Sequence, residues 1–318
     1  MNYLGFDIGG TKSAVLLGNE NGEILFREAI STGDPVQTLD TLMNIAGNFG
    51  GDPVSAGISC GGPLDEKKGV ILSPPNLPGW DDIHVVDIIS KHFSVPAKLY
   101  NDANACALAE WKFGAGRGSE NMVFFTFGTG LGAGLILNGA LYSGSNGNAG
   151  EAGHWRLANI GPVGYGKAGS FEGFCSGGGI KQLGQIYARE LLQQGKAPVF
   201  CPDFESLDSI SARSIAEAAY AGDPVAREIY SRCGEMLGRG LAYVIDFLNP
   251  DTVVIGSVFE RAEDLLRPSM EKILEKECLP QALNAVKIVP AALGDSIGDK
   301  AALIAAVFAA KENHDGNI

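Results

Sequence analysis

Closely spaced cysteines, long apolar runs and an excess of positive charge are all missing from these 318 residues. The six cysteines are Cys60, Cys106, Cys175, Cys201, Cys233 and Cys278, and no two stand closer than 26 residues. No C-x-x-C spacing for zinc or redox chemistry results, and reduced, mostly buried thiols are expected. No stretch of 18 apolar residues occurs, and the start, MNYLGFDIGG, has no basic segment followed by an apolar one. That argues against a spanning helix and a secretory leader, and points to a soluble, cytoplasmic chain. Lys and Arg number 24 against 37 Asp and Glu, a formal charge of −13. So acidic a surface argues against nucleic acid and anionic membranes as partners. A phosphate ligand would need main-chain N–H groups or a metal ion to supply a positive field.

What the chain has in excess is glycine, 44 residues, near twice the usual share of about 7%. Without a collagen period, tight turns and close backbone–ligand approaches must account for them. Apolar residues at 45% and charged ones at 19% describe an ordinary globular chain, long enough for two domains.

One pattern occurs twice. Phe6 to Leu25, FDIGGTKSAVLLGNENGEIL, and Phe125 to Tyr142, FTFGTGLGAGLILNGALY, each run strand, glycine turn, strand, Asn-Gly turn, strand. Asn21-Gly22 and Asn138-Gly139 are strong hairpin signals. The repeat implies two similar α/β lobes, each opening with an antiparallel meander. Apolar spacing predicts helices over Val36–Phe49, Asp81–Phe93, Asp102–Phe113, Pro224 to about Phe247 with Asp223 as cap, and Ile297 to about Lys311. Short apolar runs at Val54–Ser59, Ala97–Tyr100, Thr252–Ile255 and Val286–Pro290 suit parallel strands. Gly114 to Gly118 is the hinge candidate, and Asn313–Ile318 reads as a disordered tail.

Chemistry concentrates in four places. In DIGGTK, Asp7 to Lys12, paired glycines let backbone N–H groups meet an anion, and Asp7 at a strand end suits a hydrated Mg²⁺. A plain hairpin with an exposed Asp is the alternative. GTGLGAG, Gly128 to Gly134, formally matches a dinucleotide fingerprint, but Leu135-Ile136-Leu137 continues as strand where that motif needs a helix. Two glycine turns in equivalent places of a repeat fit phosphate binding better. Asn101-Asp102 lies at a strand's C-terminal end, where open α/β sheets bind ligands, although Asp102 could equally be a helix cap. Glu151 and His154, with Glu172 further on among glycines, suit vicinal hydroxyls through charged hydrogen bonds.

Together these motifs resemble the ROK family of sugar kinases, within the hexokinase, actin and Hsp70-like ATPases, from Asp7 to about Ala306. DIGGTK looks like its first phosphate motif and GTGLGAG like its second. GISCGGPLD, with Gly61, and SPPNLPGW, with Asn76, are similar to its sugar-side loops; NDANACALAEW carries the catalytic Asp, and EAGH is its E-x-G-H. The resemblance implies an α/β fold of two actin-like (ribonuclease H-like) lobes, each a mixed sheet flanked by helices, with a cleft between them. The lobes would be 1–116 and 117–296, with a last helix of about 297–312 packing back on the first. Members usually continue E-x-G-H with C-x-C-G-x-x-G-C-x-E, whose three cysteines and the His bind structural zinc. Val163, Tyr165 and Ser170 stand at those cysteine positions here, while Glu172 is kept. Zinc is therefore expected to be absent, leaving His154 to be oriented by packing and hydrogen bonds. The adenosine-side glycine pair is altered to Gly256-Ser257.

The activity implied is ATP-dependent phosphorylation of a hexose hydroxyl, glucose being favoured by the Asn76 loop, with ATP and Mg²⁺ as cofactors. Asp102 would be the general base. Gly61, Asn76, Asn101, Glu151, His154 and Glu172 would join it in binding sugar. Gly9, Gly10, Thr11 and Lys12, with Gly128, Thr129, Gly130, Gly132 and Gly256, would hold the nucleotide, and Asp7 the Mg²⁺ through water. N-acetylhexosamines (N-acetylmannosamine or N-acetylglucosamine) and fructose are alternative substrates, and a non-catalytic sugar sensor is the alternative function. A repressor of the same family would need a helix-turn-helix ahead of the first strand, which begins at Asn2. The family also suggests a homodimer.

Overall fold

The computed structural model describes residues 1–315, with side chains to Lys311. The chain opens with β1 (Asn2–Ile8), β2 (Lys12–Asn19), β3 (Ile24–Ser31), α1 (Pro35–Gly47) and β4 (Pro53–Cys60). A small hairpin, β5 (Leu64–Asp65) and β6 (Val70–Ile71), precedes α2 (Val85–Phe93), β7 (Ala97–Asn101) and α3 (Asp102–Phe113). Next come β8 (Met122–Phe125), β9 (Ala133–Leu137), β10 (Ala140–Leu141) and the hairpin β11 (Val163–Gly164)–β12 (Lys167–Ala168). Helices α4 (Phe171–Phe174), α5 (Gly177–Gln193), α6 (Ala212–Tyr220) and α7 (Pro224–Leu248) follow. The chain then runs β13 (Thr252–Ile255), α8 (Val258–Glu277), α9 (Pro280–Ala285), β14 (Lys287–Pro290) and α10 (Ile297–Asp315).

Two five-stranded sheets carry the repeat. Their orders, β3-β2-β1-β4-β7 and β10-β9-β8-β13-β14, place a meander first and two later strands beyond it. In the first, β1–β2 and β2–β3 are antiparallel while β1–β4 and β4–β7 are parallel. In the second, β8–β13 and β13–β14 are parallel and β9–β10 antiparallel. The fold is thus α/β with two mixed sheets flanked by helices. The Asn-Gly turns differ in detail. Asn138 and Gly139 both take positive φ, 52° and 70°, as the tightest hairpin turn requires. At the first turn Gly22 alone does, at 84°, and the Asn19 N–H reaches the Glu23 carbonyl across a wider loop.

By internal contacts the chain forms two compact units, 1–118 with 134–149 and 292–318, and 119–133 with 150–291. In the first, Phe6, Ile8, Leu42, Ile58, Trp80, Ile89 and Leu99 form a core at 2% exposure or less. Full burial of such side chains stabilises by about 1.5–3 kcal/mol each before entropy is charged. Helix α10 packs on β1, β4, β7 and α3. Its alanine face lets backbones meet. A Cβ on Gly57 of β4 would run into the backbone of Ala302, Ala305 and Ala306, and the Ser55 hydroxyl donates to the Ala306 carbonyl at 2.6 Å. In the second unit, Phe125 and Phe171 meet edge-on at 5.9 Å. There Gly234 and Gly238 let α7 approach the backbone of α8.

Capping follows the sequence. Asp34 accepts from the N–H groups of Val36 and Gln37 before Pro35 starts α1, and Asp223 does the same for Val225 and Ala226 at α7. Helix α2 begins at Val85, not at Asp81. Asp82 has φ 55°, and Ile83 bridges to Ile71, so the backbone groups ahead of α2 are spent on a turn and a strand contact. Helices α5, α6 and α8 had no counterpart in the sequence reading. The tail reading for Asn313–Ile318 lies outside the described residues, apart from the α10 backbone to Asp315. Among the described residues no helix is long and apolar enough to cross a membrane.

Candidate functional site

In the first unit the parallel register sets the chemistry in a row. Asp7 pairs with Ser59 and Ile8 with Cys60, while Cys60 pairs with Asn101. Asp7, Gly61 and Asp102 therefore sit at the C-terminal edges of β1, β4 and β7, where such sheets present ligand groups. A Cβ built on Gly61 would lie 3.7 Å from Asp102 Oδ2. The Ala103 N–H is shared between Asn101 Oδ1 at 3.0 Å and Asp102 Oδ1 at 2.8 Å. Asn101 is thus the cap of α3, and Asp102, the first helical residue, is exposed.

The turn between β1 and β2 is tight. The Gly9 N–H donates to the Lys12 carbonyl at 3.2 Å, and the Thr32 hydroxyl donates to the Gly9 carbonyl at 2.6 Å. Gly10, Thr11 and Lys12 are exposed. Gly10 lies against the Asn76 loop so closely that a Cβ would stand 2.5 Å from the Asn76 carbonyl oxygen. Only glycine allows that approach. The structure thus joins Gly9–Lys12, Asn76, Gly61, Asn101 and Asp102 in one unit.

Asp7 is the electrostatic outlier. Burial first, then the carboxylates of Asp299 and Asp102, push it up to about 6, against a smaller opposing pull from Arg27. Arg27 Nε binds Asp299 at 2.7 and 2.9 Å, and the Asp7 carboxylate rests on Gly298 in the first turn of α10. A half-compensated cluster of hard oxygens suits a hydrated divalent cation. Among the described residues no three His, Cys, Asp or Glu side chains group as direct metal ligands.

The second unit holds the other residues. The Thr126 N–H reaches the Gly132 carbonyl at 3.0 Å and the Gly128 N–H the Gly130 carbonyl at 2.9 Å, closing the second glycine turn around exposed Thr129. The turn runs into strand β9, not a helix. Glu172 Oε2 accepts from the Leu131 N–H at 3.0 Å, and its Cβ lies 3.3 Å from where a side chain on Gly153 would start. Glu172 therefore ties the glycine turn to the 3₁₀ turn Ala152–His154. Glu151 Oε2 stands 3.8 Å from His154 Nε2, close enough for both to reach one ligand. Gly256 follows β13, its N–H bound to the Phe125 carbonyl at 2.9 Å. Gly128 has Ser257 Oγ for a neighbour.

Three features were missed from sequence. Glu66 Oε1 accepts from the Asn101 N–H at 2.9 Å and from Asn104 Nδ2 at 2.8 Å, tethering the Asp102 elbow. Its place directly after GGPLD was the available signal. Asp299 reaches Asp7 from 292 residues away, which no local pattern reveals. Gly177, at the start of α5, donates its N–H to the Gly128 carbonyl at 2.7 Å, and the GGG run of residues 177–179 hinted at a close approach.

Residues 3–312 match the profile of the ROK family. A glucokinase of Halalkalibacterium halodurans is 30% identical over 308 residues, covering 93% of this chain and 92% of the relative. A ROK family transcriptional regulator, described as a homolog of the E. coli MLC protein, superposes with a TM-score of 0.83 at 28% identity over 97% of this chain and 78% of that one. A ROK family glucokinase from Streptomyces griseus, in complex with glucose and AMPPNP, gives 0.77 at 29% identity over 97% and 100%. Matched along almost its whole length, the chain belongs to the ROK family.

Proposed function

We propose that the chain is an ATP-dependent sugar kinase acting on a hexose hydroxyl, glucose first, with Asp102 as general base. The observation that carries this reading is the exposed Asp102 beside Gly61, in the same strand-end row as Asp7 and the Gly9–Lys12 turn. Relatives named glucokinase, one of them solved with glucose and AMPPNP, support it.

The sugar hydroxyl oxygen attacks the γ-phosphorus of ATP while its proton passes to an Asp102 carboxylate oxygen. The bond from γ-phosphorus to the β,γ-bridging oxygen breaks, and ADP departs. General-base action contributes about 10²–10⁴-fold. Positioning supplies much of the remainder, because a loose transition state asks little covalent help. Main-chain N–H groups of Gly9–Lys12 and of Gly128, Thr129, Gly130 and Gly132 hold phosphate oxygens, with Gly256 on the nucleotide side. Gly61, Asn76, Asn101, Glu151, His154 and Glu172 hold the sugar. Mg²⁺, when bound by way of Asp7 and water, would neutralise phosphate charge. The same reading makes the protein a cytoplasmic homodimer whose partners are sugar and ATP.

The similarity to a transcriptional regulator favours a second reading, a sugar sensor without turnover. Coupled ADP release over glucose, mannose, fructose and N-acetylated hexosamines separates the two. The kinase reading expects saturable, sugar-dependent ADP release, and a drop of at least about a hundredfold in Asp102→Asn with sugar binding retained. Saturable sugar binding with no ADP release from the unaltered protein would favour the sensor, and near-normal turnover in the variant would remove Asp102 as base.

A further inference from the structure

The loop after His154 closes on itself. The Lys167 ammonium donates to the His154 carbonyl at 2.7 Å, and the Tyr165 ring meets the His154 imidazole edge-on, centroids 5.1 Å apart at 80°. Both side chains come from the β11–β12 hairpin, whose turn residues Tyr165 and Gly166 have φ of 44° and 75°. That reversal delivers Tyr165 and Lys167 back toward His154.

The hairpin itself is anchored at both ends. Gln182 of α5 clasps the Val163 backbone, accepting from its N–H and donating to its carbonyl, each at 2.8 Å. Arg156 Nη1 donates to the Ala168 carbonyl at 2.8 Å, and the Phe171 N–H to the Trp155 carbonyl at 2.7 Å. Ser170, fully buried, caps α4 by accepting from the Gly173 N–H at 3.0 Å. Val163, Tyr165 and Ser170 thus each hold a different part of the loop: the backbone clasp, the ring contact and the helix cap. None is a thiolate, imidazole or carboxylate. The donor set does not fit zinc, and the ties that hold the loop are already made.

We propose that Lys167 and Tyr165 are positioning residues that fix His154 for a sugar hydroxyl, in a loop that takes no metal ion. The proposal rests on the sugar-binding role given to His154 above. Lys167 fixes where the backbone of His154 sits, and Tyr165 limits the rotation of its ring. Neither touches the reacting atoms, so their loss weakens sugar binding more than turnover.

The test measures sugar affinity by calorimetry, and KM and kcat for sugar and ATP, in the full chain. Lys167→Met and Tyr165→Ala should each raise the sugar dissociation constant and KM about 5–10-fold, the scale of one lost hydrogen bond or ring contact. ATP KM and kcat should stay within about twofold. Tyr165→Phe, which keeps the ring, should restore wild-type affinity. In a His154→Ala background, Tyr165→Ala should add nothing. A normal sugar KM in His154→Ala would overturn the sugar role of His154 and this inference with it. A raised KM there, but not in Lys167→Met and Tyr165→Ala, would overturn the positioning inference alone. One zinc per chain that survives dialysis against chelator would overturn the metal-free loop.

Discussion

Asp7 gives the residue scale its sharpest consequence. Burial and its acidic neighbours lift it from 3.8 to about 6, so between those values the folded chain holds the proton more tightly than the unfolded one. The stability this confers is complete below pH 3.8 and is lost as pH rises through about 6. Asp7→Asn should therefore make the protein more stable at pH 7, by about 3 kcal/mol, and no more stable near pH 3.5. The same change should depress ATP-dependent turnover. Urea midpoints at the two pH values check this, and equal midpoints at pH 7 would contradict it. Asp7 as a strand-end carboxylate was legible from DIGGTK alone. Its raised pKa was not, because Asp299 and the first turn of α10 arrive from the other end of the chain. Glu172 likewise stood out among glycines, yet its bond to the Leu131 N–H depends on a fold-level approach.

At the scale of elements, α3 does more than present Asp102. Near its far end Glu110, with no exposure, accepts from the N–H groups of Ala115 at 2.7 Å, Ala292 at 3.0 Å and Leu293 at 2.9 Å. One carboxylate thus fastens the end of α3 and the segment leading into α10. Glu110→Ala leaves three partly buried donors without their acceptor, and each costs about 1 kcal/mol or more. Denaturant unfolding should show a loss of about 3 kcal/mol or more, with the secondary structure at 20 °C little changed; a loss under about 1 kcal/mol would remove Glu110 as a fastener. Helices with a capping residue at their start, α1, α3 and α7, were readable to within about two residues. Helix α5 was hidden because Gly177–Gly179 opens it, and glycine is a poor helix former. Helix α8 was hidden by Pro268 and by a break at Ala262, where φ is −141°. The short β5–β6 and β11–β12 hairpins lacked the length that makes alternation visible.

For the whole molecule, the repeated meander was the most informative pattern. It anticipated two sheets of one design, though not that 134–149 would count with the first compact unit. Both units bury thiols: Cys60 in the first, Cys175, Cys201, Cys233 and Cys278 in the second, with Cys106 half-buried. Burial pushes the Cys60 and Cys175 thiols well up, and Cys278 to about 11, so little nucleophilic thiolate is presented. At pH 8 the native protein should take up a thiol reagent slowly, reaching six equivalents only on unfolding; rapid uptake without denaturant would contradict the packing described. Gly57 on β4 accepts a helix, α10, that lies at the opposite end of the chain from β1. During synthesis, then, both stretches of the second unit, 119–133 and 150–291, are made while the earlier sheet still waits for that helix. The first part made is the last part finished.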